Sequence, residues 1–229
     1  MAAIESKIWH LENINILNDF TSEEIAEIDR RSVMRSFDKK VHIYFPNDPA
    51  NIVFLLKSGR VKIGSYGANG KELIKTIIYP GEIFGELSIT GKEVRNDFAI
   101  AMDKDVKLCT IPKSEMLEIL SKIPRLQFRI TQTIGNRVKD IERRFESMVF
   151  QSSEGRIINF LKEMAEKIGQ KIGDEILVKH HLTHEEIGQM TCTSRQSVTT
   201  TLNELKNKNL IHLDRNKILI RDINNLTLS

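Results

Sequence analysis

The sequence predicts an α+β fold laid out in three consecutive parts: an antiparallel β-barrel or jelly roll, one long helix, and a small helical module closed by a β-hairpin. Three observations carry this. Between residues 41 and 111 the apolar residues recur with period two, in short runs divided by turn-forming clusters. From Pro124 to about Gln151 the period is helical, with no further proline and only Gly135 inside. Beyond Thr183, two short helical patterns precede two short apolar runs.

A chain of 229 residues can bury two cores, and 40% hydrophobic with 28% charged residues describes a soluble globular protein. The net charge of +3 and pI near 8.8 fit a nucleic-acid partner only weakly. From Ser152 onward 11 Lys/Arg stand against 10 Asp/Glu, so bulk charge identifies no partner. Cys109 and Cys192 lie far apart and cannot supply the four thiolates of an iron–sulfur cluster, which points to a reducing cytoplasm. The first ten residues, MAAIESKIWH, carry charge and no apolar run, so no signal peptide is expected. No stretch approaches the ~18 apolar residues of a membrane span.

Taken in order, Thr21 and Glu24 form a capping box that opens a short helix with Ile25 and Ile28 inward. Six strands follow at 41–45, 52–56, 61–66, 73–78, 98–102 and 106–111. Pro46-Asn47-Asp48, Ser58-Gly59, Ala68-Asn69-Gly70, Pro80-Gly81 and Asp103-Lys104-Asp105 divide them. Pro112 begins a helical stretch and Pro124 the long helix. There Ile134, Val138, Ile141, Phe145 and Met148 recur at 4-3-4-3 spacing, the seam of a two-stranded coiled coil. Packing of that stripe against its own barrel is the competing use. Ser152-Ser153-Glu154-Gly155 breaks the helix as a hinge, and residues 155–168 start the last part with an amphipathic helix. The parts are 1–121, 122–151 for the dimerisation helix, and 152–229.

In that last part Thr183 and Glu186 form a second capping box, the chain breaks at Thr191-Cys192, and Thr193 with Gln196 is expected to cap the next helix. Val198, Leu202 and Leu205 make its apolar stripe. Ser194, Arg195, Gln196, Thr199 and Thr200 occupy the opposite face. Arg can grip guanine O6/N7 and Gln adenine N6/N7, while hydroxyls and helix-start amides at Thr183 and His184 hold phosphates. Leu210 to Leu213 and Lys217 to Ile220, joined by Asp214-Arg215-Asn216, read as a hairpin. The whole is a winged helix-turn-helix, and double-stranded DNA is the expected partner. One such module does not hold a pair of palindromic half-sites by itself, which favours a homodimer on a palindromic operator.

Barrel, long helix, hinge and winged helix-turn-helix in this order resemble the cyclic-AMP receptor protein/FNR (CRP/FNR) family of bacterial transcription regulators, over nearly the whole chain. The most specific pieces are Pro80 to Leu87, PGEIFGEL, with Arg95; Gly155-Arg156-Ile157; and Thr183 to Val198. The resemblance implies a cyclic-nucleotide-binding-like first domain and RNA polymerase as a partner. It implies that Gly81 and Gly85 let the backbone approach a phosphate, that Glu86 accepts a ribose hydroxyl, and that Arg95 pairs with a cyclic phosphate. Gly85, Glu86, Leu87, Arg95 and Asn96, with Ile141 and Glu142 on the long helix, are the positions it gives to an effector: a cyclic nucleotide or another small anion. A direct Glu86–Arg95 ion pair is the structural alternative. This sequence departs from the cyclic-AMP binders in Asn96 for Ser or Thr, in the added charge of Asp97, and in Ile141-Glu142 for a Thr-Ser pair. In the DNA-reading helix Gln196 replaces Glu and Thr200 an arginine, and Cys192 stands where glycine is usual.

Other signals carry less. His180, His181 and His184 form HHxxH without a fourth ligand clearly placed, so no metal is expected. Trp9 and His10 are too little for haem. Arg137, Lys139, Arg143 and Arg144 read as solvated flanks of the long helix. A regulator with haem, redox or nitric-oxide input, or with no ligand, keeps the DNA reading. A cupin-type metalloenzyme needs several barrel histidines, and the barrel offers His42 alone. No enzyme is expected.

Overall fold

The computed structural model describes residues 17, 20–68, 70–91 and 93–227; Trp9, His10, the N-terminal stretch read for a signal peptide and Asn69 of one turn lie outside them. The chain folds as two compact units, one ending at Arg137 and the other starting at Val138, so the division falls inside the long helix.

The first unit opens with α1 (Ser22–Arg30), capped by the Thr21–Glu24 box, with Ile25 and Ile28 buried. The six expected runs are strands: β2 (His42–Tyr44), β3 (Ile52–Ser58), β4 (Val61–Tyr66), β5 (Glu72–Ile78), β7 (Phe98–Ala101) and β8 (Val106–Pro112). Two more were not read from the sequence, β1 (Val33–Phe37) and β6 (Ile83–Phe84). Val33, Arg35 and Ser36 of β1 face solvent, so it lacks an apolar alternation and is held by its pairing with β8. β6 is two residues long, below any readable period. The strands form two four-stranded antiparallel sheets, ordered β1-β8-β3-β6 and β2-β7-β4-β5, and neither closes on itself. Of the two expected forms the jelly roll is the one built.

β3 shows why its sequence is continuously apolar. Phe54 and Leu56 meet Tyr44, Val61, Ile63, Phe84, Ala99 and Leu108 in a core shared by both sheets. Val53 and Leu55, one pleat over, pack under Ile25 and Ile28 of α1, Met116 and Ile119 of α2 (Lys113–Lys122), and Leu126 and Ile130 of α3 (Pro124–Phe150). Each fully buried side chain of this kind contributes ~1.5–3 kcal/mol. Pro124 is the first residue of α3, where the missing amide hydrogen has no helical partner to lose.

The second unit carries the rest of α3, then α4 (Ser153–Ile168), β9 (Gly169–Ile172), β10 (Glu175–Val178), α5 (His184–Thr191), α6 (Arg195–Asn207), β11 (Ile211–Asp214) and β12 (Lys217–Ile220). The expected four-residue hinge shrinks to Gln151 and Ser152. The Ser152 hydroxyl accepts the Gly155 amide at 3.1 Å, so Ser153, Glu154 and Gly155 already belong to α4. The expected hairpin is present as β11–β12, but it is half of a sheet ordered β11-β12-β10-β9. β9–β10 was missed because β9 is polar; its signal was Gly173, in the left-handed region at φ 62° in a two-residue turn. Among the described residues no helix is long and apolar enough to cross a membrane.

Candidate functional site

Two polar sites stand out, one in each unit. In the second unit the Thr183 hydroxyl accepts the Glu186 amide at 3.2 Å and the Glu186 carboxylate accepts the Thr183 amide at 2.8 Å, the expected capping box of α5. The helix stops at Cys192, left-handed at φ 53°. The Thr193 amide then donates to the Gly188 carbonyl at 2.8 Å. A Cβ on Gly188 would sit 2.9 Å from the Thr193 carbonyl oxygen, so this close turn requires glycine.

The expected cap on the next helix is corrected. Ser194, not Thr193, is the N-cap, its hydroxyl accepting the Ser197 amide at 3.0 Å. Thr193 instead shares a 2.8 Å hydroxyl contact with Thr191, and Gln196 is an exposed first-turn residue of α6. Thr193 and Ser194 are both N-cap residue types, though only Thr193 has Gln three residues on; the tight turn at Gly188 places the helix start one residue later.

Val198, Leu202 and Leu205 are buried as the stripe predicts, leaving Ser194, Arg195, Gln196 and Thr200 exposed. Thr199 is half-buried. Its hydroxyl donates to the Arg195 carbonyl at 2.9 Å and meets His184 Nδ1 at 2.8 Å. Burial, then the charge of Arg195, pushes His184 below the ordinary histidine value, which favours its neutral form. The three histidines read as a metal motif are separately engaged: His180 Nδ1 accepts the Leu182 amide, and the His181 amide donates to Asn216. No metal-binding group of three or more is present among the described residues.

In the first unit Gly85 is left-handed at φ 74° and leads into a single 3-10 turn, Glu86–Ser88. A Cβ on Gly85 would lie 2.9 Å from Arg95 Nη1 and 3.0 Å from Phe54. Glu86 and Arg95 are 3% and 5% exposed. They do not pair with each other. Arg95 donates to the carbonyls of Gly85 and Ile52, with its guanidinium 4.6 Å over the Tyr44 ring and 5.6 Å from that of Phe54. Burial pulls its pKa below the usual guanidinium value.

The partner of Glu86 is Arg137. Its Nη1 meets Glu86 Oε1 at 2.5 Å and its Nη2 donates to the Ile83 carbonyl at 2.5 Å. Arg137 is therefore no solvated flank, which corrects the expectation. The signal available was its place one turn before Ile141 and Glu142, on the helix already given to the effector. Three buried polar atoms around this point have no partner: Glu86 Oε2, Ser88 Oγ and Arg95 Nε. Leu87 and Asn96 are exposed, and Asp97 is paired with Lys75 at 3.7 Å. Ile141 and Glu142 belong to the second unit, where both are exposed.

Along α3 the seam residues divide. Ile134 packs partly against its own unit's core. Val138, Ile141, Phe145 and Met148 are 48%, 66%, 64% and 46% exposed, and Val149 and Phe150 extend the apolar surface to the helix end. Arg143 is engaged with Asp140 and Glu163.

Known proteins match both units. The model of the cyclic nucleotide-binding domain matches residues 34–122, and that of the Crp-like helix-turn-helix domain residues 155–228. The chain is 24% identical to the CRP-like cAMP-activated global transcriptional regulator of Mycobacterium tuberculosis, over 93% of its own length and 94% of the relative's. It is 26% identical to the global nitrogen regulator of Synechocystis sp., over 83% of its own length and 85% of the relative's. A CooA variant from Carboxydothermus hydrogenoformans superposes with a TM-score of 0.78 at 25% identity, covering 93% of each chain. The two domain models thus fall on the jelly roll and the helix-turn-helix in the order the fold lays them down, and the protein belongs to the CRP/FNR family of DNA-binding transcription regulators.

Proposed function

We propose that this regulator acts as a cytoplasmic homodimer on a palindromic operator, and that a small anion bound between Gly85, Glu86, Ser88 and Arg95 controls it. One observation carries the proposal. Three buried polar atoms lack partners, two on the turn that follows left-handed Gly85 and one on the arginine bonded to the Gly85 carbonyl, and each such atom costs ~1–3 kcal/mol until something satisfies it. Arg95 Nε is a donor, Glu86 Oε2 an acceptor and Ser88 Oγ both. That set suits a ligand with an anionic group and a hydroxyl, as a cyclic nucleotide has. Leu87 and Asn96, exposed on the same unit, would frame it. The M. tuberculosis relative is described as cAMP-activated.

The exposed stripe Val138, Ile141, Phe145 and Met148 supports the dimer, because apolar side chains this open at heptad spacing stabilise the helix only when a second copy covers them. Arg195 and Gln196, exposed at the start of α6, are assigned to base edges. Thr183, Ser194 and Thr200 are assigned to phosphates, and Thr199 with His184 to the support of Arg195. RNA polymerase is the assigned partner at the promoter.

The test is thermal stability of the purified protein with cyclic AMP, cyclic GMP, other nucleotides and small dianions, repeated on Arg95→Ala. A ligand that binds only the folded state at a hundred times its Kd adds ~2.7 kcal/mol. A rise in Tm with one compound that vanishes in Arg95→Ala establishes effector and pocket together. A rise that survives the substitution places the ligand elsewhere. In sedimentation, Phe145→Asp is expected to give monomers where the parent protein gives dimers.

A further inference from the structure

Neither the base-reading face nor the anion pocket uses Arg156, in the first turn of α4. Its guanidinium donates to four acceptors. Nη1 reaches the Gln151 carbonyl at 3.0 Å and Nη2 the Ser153 hydroxyl at 3.4 Å, both at the break between α3 and α4. Nε reaches the Thr191 carbonyl at 2.9 Å and Nη2 the Cys192 carbonyl at 3.1 Å, both at the end of α5. Gln151 directly follows the last residue of α3, Thr191 is the last residue of α5, and Cys192 is its cap. Carbonyls at helix C-termini have no intrahelical donor and carry the negative pole of the helix dipole. One cation therefore closes the ends of two helices, and the planar fork of arginine allows it to hold both.

The turn beyond is short and tight. Only Thr193 and Ser194 separate Cys192 from Arg195, and the Thr193 amide is fixed to Gly188 at 2.8 Å. A movement of the Cys192 carbonyl is thus passed to the start of α6 with little slack.

We propose that Arg156 is a positioning residue that ties the helix break at Gln151–Ser152 to the turn carrying the recognition helix, so that α6 is held relative to the end of α3. The inference rests on the homodimer reading above. Its consequence is operator spacing. Two recognition helices held firmly to a common seam demand half-sites at one separation, because one added base pair rotates a half-site by about 34° and shifts it by about 3.4 Å. Recognition helices released from the seam still bind each half-site and tolerate the change.

The experiment uses the full chain with Arg156→Lys and Arg156→Gln. Binding is measured at one salt concentration to an operator selected by the parent protein, and to versions with one central base pair added or removed. The parent is expected to lose on the order of a hundredfold in affinity when the spacing changes, and each variant less than about tenfold, while binding the original operator more weakly. Arg156→Lys keeps the charge and stem, so it carries the comparison if Arg156→Gln fails to fold. A residue with only a structural role would weaken all three operators by the same factor, and an unchanged ratio overturns the inference. No spacing preference in the parent protein overturns the dimer reading and this inference with it.

Discussion

Around Gly85 in the first unit, polar atoms are buried and unfinished; on α6 in the second, they are exposed and locally complete. The Ser194 hydroxyl is spent on the Ser197 amide and that of Thr199 on the Arg195 carbonyl and His184, while Arg195 and Gln196 stand in water. Near Gly85, by contrast, Glu86 Oε2, Ser88 Oγ and Arg95 Nε are out of water and unpartnered. The first arrangement costs nothing to maintain without DNA and, on the proposed reading, gains specificity when base edges replace water. The second carries an unfavourable free energy that the proposed ligand would remove, so binding there would change the stability of the unit that houses it. The two proposed sites thus differ in where their polar groups are satisfied.

The largest effect that separates the two regions is expected at Arg137. Arg137→Ala leaves the Glu86 carboxylate buried without its cation, and breaking such a pair costs about 3 kcal/mol. In urea titrations the first unit should lose that much, and Glu86→Gln in the same background should restore part of it by removing the buried charge. A loss below about 0.5 kcal/mol would show that the pair does not form in solution. Arg195→Ala should do the reverse. It should leave stability unchanged and remove a base contact of ~1–3 kcal/mol in each half-site, or about thirtyfold or more for a dimer at constant salt. Retained operator affinity, read by fluorescence anisotropy, would remove Arg195 from the reading face.

The same contrast explains what was legible in the sequence. Sites made by neighbours along the chain obey short-range rules. The Thr21–Glu24 and Thr183–Glu186 boxes, the Val198-Leu202-Leu205 stripe and the Asp214-Arg215-Asn216 turn can be read from residues three or four apart. The buried polar cluster draws Tyr44, Phe54, Glu86, Ser88, Arg95 and Arg137 from five separate segments, and no local period links them. Only the resemblance carried by PGEIFGEL and Arg95 pointed there, and it gave no sign of Arg137. Local reading also failed where two local solutions competed. Thr193 and Ser194 both qualify as caps, and the close turn at Gly188 decides for Ser194. β1 was missed for another reason: it pairs with β8 far along the chain, from Val33 with Thr110 to Phe37 with Val106, and its own side chains are mostly exposed.

A smaller effect lies at Cys192, which takes the left-handed conformation with a side chain that disfavours it. A non-glycine residue there stores ~1 kcal/mol or more of strain. Cys192→Gly removes the strain but also frees the unfolded chain, which offsets part of the gain. The net expectation is a stabilisation of about 0.5–1 kcal/mol, or a Tm higher by about 1–4 °C. Cys192→Ala keeps the Cβ and should leave Tm where it is, which separates backbone strain from any role of the exposed thiol. Because Arg156 and the Thr193–Gly188 bond hold the turn from both sides, affinity for the operator should change less than threefold in either variant. A Cys192→Gly protein that melts higher but binds DNA markedly more weakly would mean that the strained residue, and not the bonds around it, sets the angle of α6.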